Sequence, residues 1–82
     1  MFIKTENGFI NTDKSKYLVF SKTNELEIGF IDSVVTLFLT KGNFLEARER
    51  IKRGILAKKR IVDLTDLILH IREVVNGTER EL

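Results

Sequence analysis

Apolar and polar positions alternate, or cluster at strand lengths, as far as Leu39, and from Phe44 onward they recur at spacings of three and four. Asn7-Gly8 sits between Met1–Glu6 and Phe9–Thr12, and Asn-Gly suits a type I′ hairpin turn, whose two central residues both need φ > 0. After the polar break Asp13–Lys16, Tyr17–Lys22 is rich in β-branched and aromatic residues, and Thr23-Asn24-Glu25 reads as a turn. In Leu26–Phe30 the apolar side chains alternate with Glu27 and Gly29, as in a strand buried on one face. Asp32-Ser33 can close a turn into Val34–Leu39, whose apolar run predicts a strand inside the sheet. One long strand bulged at Asp32-Ser33 is the alternative.

Lys41-Gly42 ends the strand pattern. Asn43 followed by Glu46 has the form of an N-cap with its capping-box partner, which predicts a helix from about Phe44. Phe44, Ala47, Ile51 and Ile55 fall on one stripe of it, with Glu46, Glu49, Arg50 and Arg53 opposite. Gly54 weakens its end, and Ala57–Arg60 reads as a fraying last turn. Asp63 and Asp66 repeat the cap logic. Leu64, Leu67, Ile68, Ile71, Val74 and Val75 then predict a second amphipathic helix, ended by Asn76-Gly77. The expected fold is α+β: an N-terminal antiparallel meander of about four to five strands packed against two C-terminal helices. Residues 1–77 form one domain and 78–82 a frayed tail.

Composition narrows the chemistry more than the fold. A hydrophobic share of 43% with 32% charged residues is globular. The absence of Cys excludes disulfides and thiolate metal sites, and a single histidine excludes a His-rich one, so no cofactor is expected. The N-terminus becomes charged too early for a secretory segment and no apolar run is long enough to cross a membrane, so the expected location is cytoplasmic. A domain this small is marginally stable, which makes self-association a plain way to add buried surface.

Lys41, Arg48, Arg50, Lys52, Arg53, Lys58, Lys59 and Arg60 stand against only Glu46 and Glu49, so this stretch is basic and the rest of the chain acidic. Such a distribution fits contact with a phosphate backbone or an acidic partner. It equally fits a solvated helix face with Glu46–Arg50 and Glu49–Arg53 pairs and cations at the negative end of the helix dipole. By helical angle Arg48 and Lys52 flank one side of the stripe, Arg50 the other, and Arg53 lies opposite, so the charge wraps the helix. The six phenylalanines and one tyrosine, which could stack bases on an open sheet, sit at apolar-periodic positions and read as core. His70 reads as a helix-flank residue. Ser15, Ser21 and Ser33 lack the setting of a nucleophile, Asp63 and Asp66 read as caps before they read as Mg²⁺ ligands, and the five glycines form no phosphate loop. Catalysis on a small-molecule substrate is not expected. Leu45 and Leu56, off the first stripe, and Leu69, off the second, are candidate contacts to a partner protein or a second copy.

The opening Met1-Phe-Ile-Lys-Thr-Glu-Asn-Gly-Phe-Ile-Asn-Thr-Asp13, running into a meander and a charged helix, resembles very short uncharacterised β-meander-plus-helix proteins of low-GC Gram-positive bacteria and their phages. The resemblance spans Met1 to about Ile55. It implies a stand-alone accessory protein, carried on a phage or other mobile element, and supplies no catalytic or binding residues. Two functions are therefore expected in order: a non-catalytic regulatory or interaction module that binds a partner protein, and, as the alternative, a nucleic-acid-binding protein using Arg48 to Arg60.

Overall fold

In the computed structural model, which describes residues 1–81, alternation becomes strand wherever it is strict. The elements in chain order are Phe2–Thr5 (β1), Gly8–Asn11 (β2), a 3-10 turn at Thr12–Lys14, Tyr17–Phe20 (β3), Glu25–Gly29 (β4), Ser33–Leu39 (β5), the helix Lys41–Leu56 (α1), Ile61–Asp63 (β6), Leu69–Val75 (β7) and Thr78–Glu81 (β8). They form a five-stranded antiparallel sheet, β3-β4-β5-β7-β8, and a three-stranded sheet, β2-β1-β6, in which β6 runs parallel to β1. The α+β class is as expected, with one helix in place of two. No helix among the described residues is long and apolar enough to cross a membrane.

The predicted second helix is the main correction. Leu69–Val75 pairs along its whole length with β5, from Ser33↔Val75 to Leu39↔Leu69. Apolar spacings of three and four on paper conceal a strand in which Leu69 and Ile71 face the core and Glu73 and Val75 share their side of the sheet. The β-branched Ile71, Val74 and Val75 suit a pleated surface better than a helix. Asn76-Gly77 closes a hairpin instead of a helix: Asn76 has φ 49° and Gly77 φ 81°, the two left-handed residues a type I′ turn requires. Thr78–Glu81 accordingly pairs with β7 and is no frayed tail, while Leu82 lies outside the described residues.

Smaller corrections concern the turns and the first helix. In the first hairpin Thr5 pairs with Gly8, so Glu6 and Asn7 occupy the turn. Between β4 and β5 the Phe30 N–H donates to the Ser33 carbonyl at 2.7 Å, a true turn, so the bulged long strand falls away. Helix α1 starts at Lys41 with Thr40 in the cap position, where its side chain makes no capping bond. Asn43 lies inside the first turn and its Nδ2 donates to the Ile68 carbonyl at 3.3 Å, tying the helix to the segment before β7. At the other end the Lys59 N–H donates to Gly54 O (2.9 Å) and the Lys58 N–H to Ile55 O (3.2 Å), a Schellman closure with Lys58 at the left-handed position, φ 53°.

One core joins both sheets to the helix. Leu26, Ile28, Val35, Leu37 and Ile71 come from the inner face of the large sheet, Ile3 and Val62 from the small one, Ala47 and Ile51 from α1, and Leu64 from the segment after β6. β5 is the middle strand, as its apolar run predicts. The helix stripe is shifted from the expected one: Gly54 is buried and Ile55 exposed, because Val62 of β6 packs where a Gly54 side chain would stand. Asp63 and Asp66 cap no helix. Asp63 Oδ1 accepts from the Thr65 N–H at 2.9 Å and the Thr65 hydroxyl at 2.6 Å, closing the turn that follows β6.

Candidate functional site

The seven cations from Arg48 to Arg60 separate into groups. Arg50 is engaged: its Nη1 and Nη2 donate to the two oxygens of Asp66 at 2.5 and 2.9 Å, Nε donates to Glu46 at 3.0 Å, and Nη1 also reaches the Asp63 carbonyl. This fork holds the β6–β7 segment against α1. Arg48 lies 6.0 Å from the centre of the Phe44 ring, on the other flank, and Lys52 is exposed on the helix. Arg53 donates through Nε to its own helix, at Glu49 O (3.4 Å), and not to the Glu49 carboxylate. Lys58, Lys59 and Arg60, like Arg53, form no ion pair among the described residues and cluster at the helix end and connector. Of the candidate interface leucines, Leu45 and Leu56 are exposed on α1, Leu56 at 85%, whereas Leu69 is half-buried on the inner face of β7 opposite Leu39.

Two sheet faces missed by the periodicity are open. The first is the outer face of the large sheet. Cross-strand register sets out three rows there: Tyr17–Gly29–Val34–Val74–Glu79, Val19–Glu27–Thr36–Arg72, and Glu25–Phe38–His70. Its side chains are held in place. The Tyr17 ring lies on Gly29, so close that a Cβ there would overlap it, and the Tyr17 hydroxyl donates to Glu27 at 2.9 Å. That bond, with the Glu27 charge, raises the phenol pKa above its ordinary value. Phe38 stands between the Arg72 guanidinium, 5.0 Å from its ring centre, and the His70 ring at 6.3 Å. Helix and small sheet both lie on the opposite, core side.

The second is the outer face of the small sheet. β1 and β2 alternate so that Ile3, Thr5 and Ile10 point inward and Phe2, Lys4 and Phe9 outward. Phe2 and Phe9 meet edge-to-face with centres 6.0 Å apart, 38% and 59% exposed, and with Ile61 and Arg60 they line an open apolar depression. Lys4 Nζ lies 6.0 Å from the Phe9 ring centre. Strand parity carried this signal in the sequence: Phe2 shares its parity with Lys4, and Phe9 with Asn11.

A cleft between the first hairpin and the end of the large sheet, lined by Asn7, Lys14, Ser33 and Glu73 among others, has a volume of about 330 Å³. Its acid is ion-paired with Arg80. His70 lies on the outer face opposite Phe38, Ser15 Oγ donates to Thr12 O, Ser21 Oγ sits in the β3–β4 turn, and Ser33 lies at the other end of β5, opposite Val75. No cluster of three or more metal-ligating side chains occurs among the described residues.

The Arg50 fork holds the Asp66 carboxyl below the usual carboxylate range, and the Thr65 hydrogen bonds do the same for Asp63. A carboxyl whose folded pKa is depressed stabilises the fold above its unfolded pKa and loses that contribution as pH falls through the folded value. Thermal melts followed by circular dichroism from pH 7 to pH 2 are therefore expected to show Tm falling below about pH 4, and to fall less in Asp66→Asn than in the wild type. Both carboxyls are exposed, so the difference is small. Parallel Tm curves for the two proteins would refute the coupling.

No protein-family model, curated protein or solved structure shows significant similarity to the chain.

Proposed function

We propose that this chain is a small non-catalytic interaction module that works by docking the outer face of its five-stranded sheet on a partner protein. What supports this reading is one observation: Tyr17, Val19, Val34, Phe38 and Val74 share a face with no helix on it. An antiparallel sheet ordinarily turns polar residues to water on its open side, and apolar side chains gathered there, Tyr17, Val34 and Val74 in one row with Val19 beside Tyr17 and Phe38 across the Thr36–Arg72 pair, are the usual mark of a contact surface. Tyr17 and Phe38 are fixed before any partner arrives, by Gly29 and Glu27 and by Arg72 and His70, so little side-chain entropy is lost on docking. Glu25 and Glu27 give the face acidic positions that favour a partner with cations opposite them, while Glu79 pairs with Arg72 at 2.6 Å. A second copy of the chain is the other occupant the face admits. An accessory role on a phage or other mobile element, implied by the resemblance of Met1–Ile55, and a cytoplasmic location, suggested by the early charges of the N-terminus, belong to the same proposal.

Affinity capture from a native lysate with wild type, Val34→Lys and Val74→Lys tests it, folding being checked by circular dichroism. Partners recovered by the wild type are expected to drop by about tenfold or more with each variant, as for loss of a central interface contact. Equal recovery by all three, or recovery of the bait alone across salt conditions, defeats the proposal. Light scattering that gives a strict monomer at high concentration removes the second copy as occupant.

A further inference from the structure

We infer that the outer face of the three-stranded sheet is a second, separate site that binds single-stranded nucleic acid, stacking unpaired bases on Phe2 and Phe9 and holding phosphates with Lys4 and Arg60 and with Lys59 beside Ile61. Phe2 and Phe9 project from neighbouring strands on the side away from the core, where their rings contribute nothing to it. They are among the most exposed aromatic groups of the chain, and their edge-to-face contact leaves ring surface open to solvent. A base is flat, apolar on its faces and attached to a negative backbone, so its binding site needs an exposed ring with cations alongside.

Cations stand alongside the rings. Arg60 lines the same depression as both rings, and its carbonyl accepts the Phe2 N–H at 2.7 Å, which fixes the connector to the edge of β1. Lys4 lies over Phe9 from the same strand face. Lys58, Lys59, Arg60 and Arg53 lack carboxylate partners among the described residues, in contrast to Arg50. Asp63 stands across from Lys4 in the register and also accepts the two Thr65 bonds, so Arg60 is the cation beside the rings that no carboxylate meets among the described residues. Duplex nucleic acid hides its base faces and gains nothing from the two rings, and an acidic peptide uses only the cations. Both classes are therefore separable from the single strand by experiment.

The test is fluorescence anisotropy of labelled 12-nucleotide oligo-dT and oligo-U with the full chain at two salt concentrations, alongside a duplex of equal length and a polyglutamate competitor. Binding is expected for the single strands, weakening as salt rises because phosphate contacts release counterions. Phe9→Ala is expected to weaken it on the order of 5- to 100-fold, the range for losing one stacked base. Lys59→Ala and Arg60→Ala should each flatten the salt dependence, with a slope change of about 0.7. Both ring and cations are exposed, so the variants keep the wild-type Tm. Absence of binding at low salt, equal affinity for the duplex, Phe9→Ala indistinguishable from wild type, or displacement by polyglutamate as effective as by unlabelled oligonucleotide would each overturn the inference. Val34→Lys, on the other sheet, is expected to leave oligonucleotide affinity unchanged, so this site and the proposed protein-docking face fail independently.

Discussion

Leu37→Ala is expected to remove about 2–5 kcal/mol of stability, the range for truncating a fully buried leucine. The side chain is 0% exposed at the middle of β5, the central strand, with Leu26 and Ile71 directly across from it on the two neighbouring strands. Both neighbours are fixed in backbone ladders, so the space left by the lost atoms collapses little. A chain of this length has a total stability of roughly 4–12 kcal/mol, so this one change takes a large share of it. In urea unfolding followed by circular dichroism the midpoint should fall with the slope unchanged, since the same surface is exposed on unfolding. Val19→Ala, on the open face of the same sheet, should change the unfolding free energy by no more than about 0.5 kcal/mol. A Leu37→Ala loss within that smaller range would mean that β5 is not the centre of the core.

The first half of this fold was legible because strand alternation there is interrupted only by turn-forming residues. Leu26, Ile28, Val35 and Leu37 all lie inward, as their spacing requires. The second half misled because Leu64, Leu67, Ile68, Ile71, Val74 and Val75 satisfy a helical spacing while belonging to a turn segment and a long strand. Two local signals pointed the other way: the β-branched run of β7, and Asn76-Gly77, which ends a helix or turns a hairpin equally well. What decides between them is the seven-residue ladder with β5, a contact between residues from Leu39↔Leu69 to Ser33↔Val75 that no local window contains. The same limit applies to the charges. Arg50 looked equivalent to Arg53 until Asp66, sixteen residues on, met it in space. The Phe2 and Phe9 face, by contrast, was present in the parity of two four-residue strands, and treating every aromatic as core hid it.

Gly54→Ala and Gly42→Ala are the same substitution in the same helix, and opposite signs are expected. Helix propensity favours alanine over glycine by roughly 1 kcal/mol within a helix. At Gly42, in the first turn, an added Cβ meets nothing within 4 Å, so a gain of about 0.4–1 kcal/mol is expected. At Gly54 an added Cβ would stand 2.4 Å from Val62 Cγ2 and 3.5 Å from Met1 Sδ. Val62 has little room to yield: it is buried, stiff about its first side-chain bond, and carried on β6, which is bonded to β1 on both sides of it. The helix end must then move off the small sheet, at a cost of about 1–3 kcal/mol that outweighs the propensity gain. Adding Val62→Ala to Gly54→Ala should restore part of the loss. The double variant should be more stable than the two single effects predict, because the colliding atoms are removed together. Urea midpoints of the four proteins settle the matter: a Gly54→Ala variant as stable as Gly42→Ala, or strictly additive effects with Val62→Ala, would show that α1 and β6 do not pack at this distance.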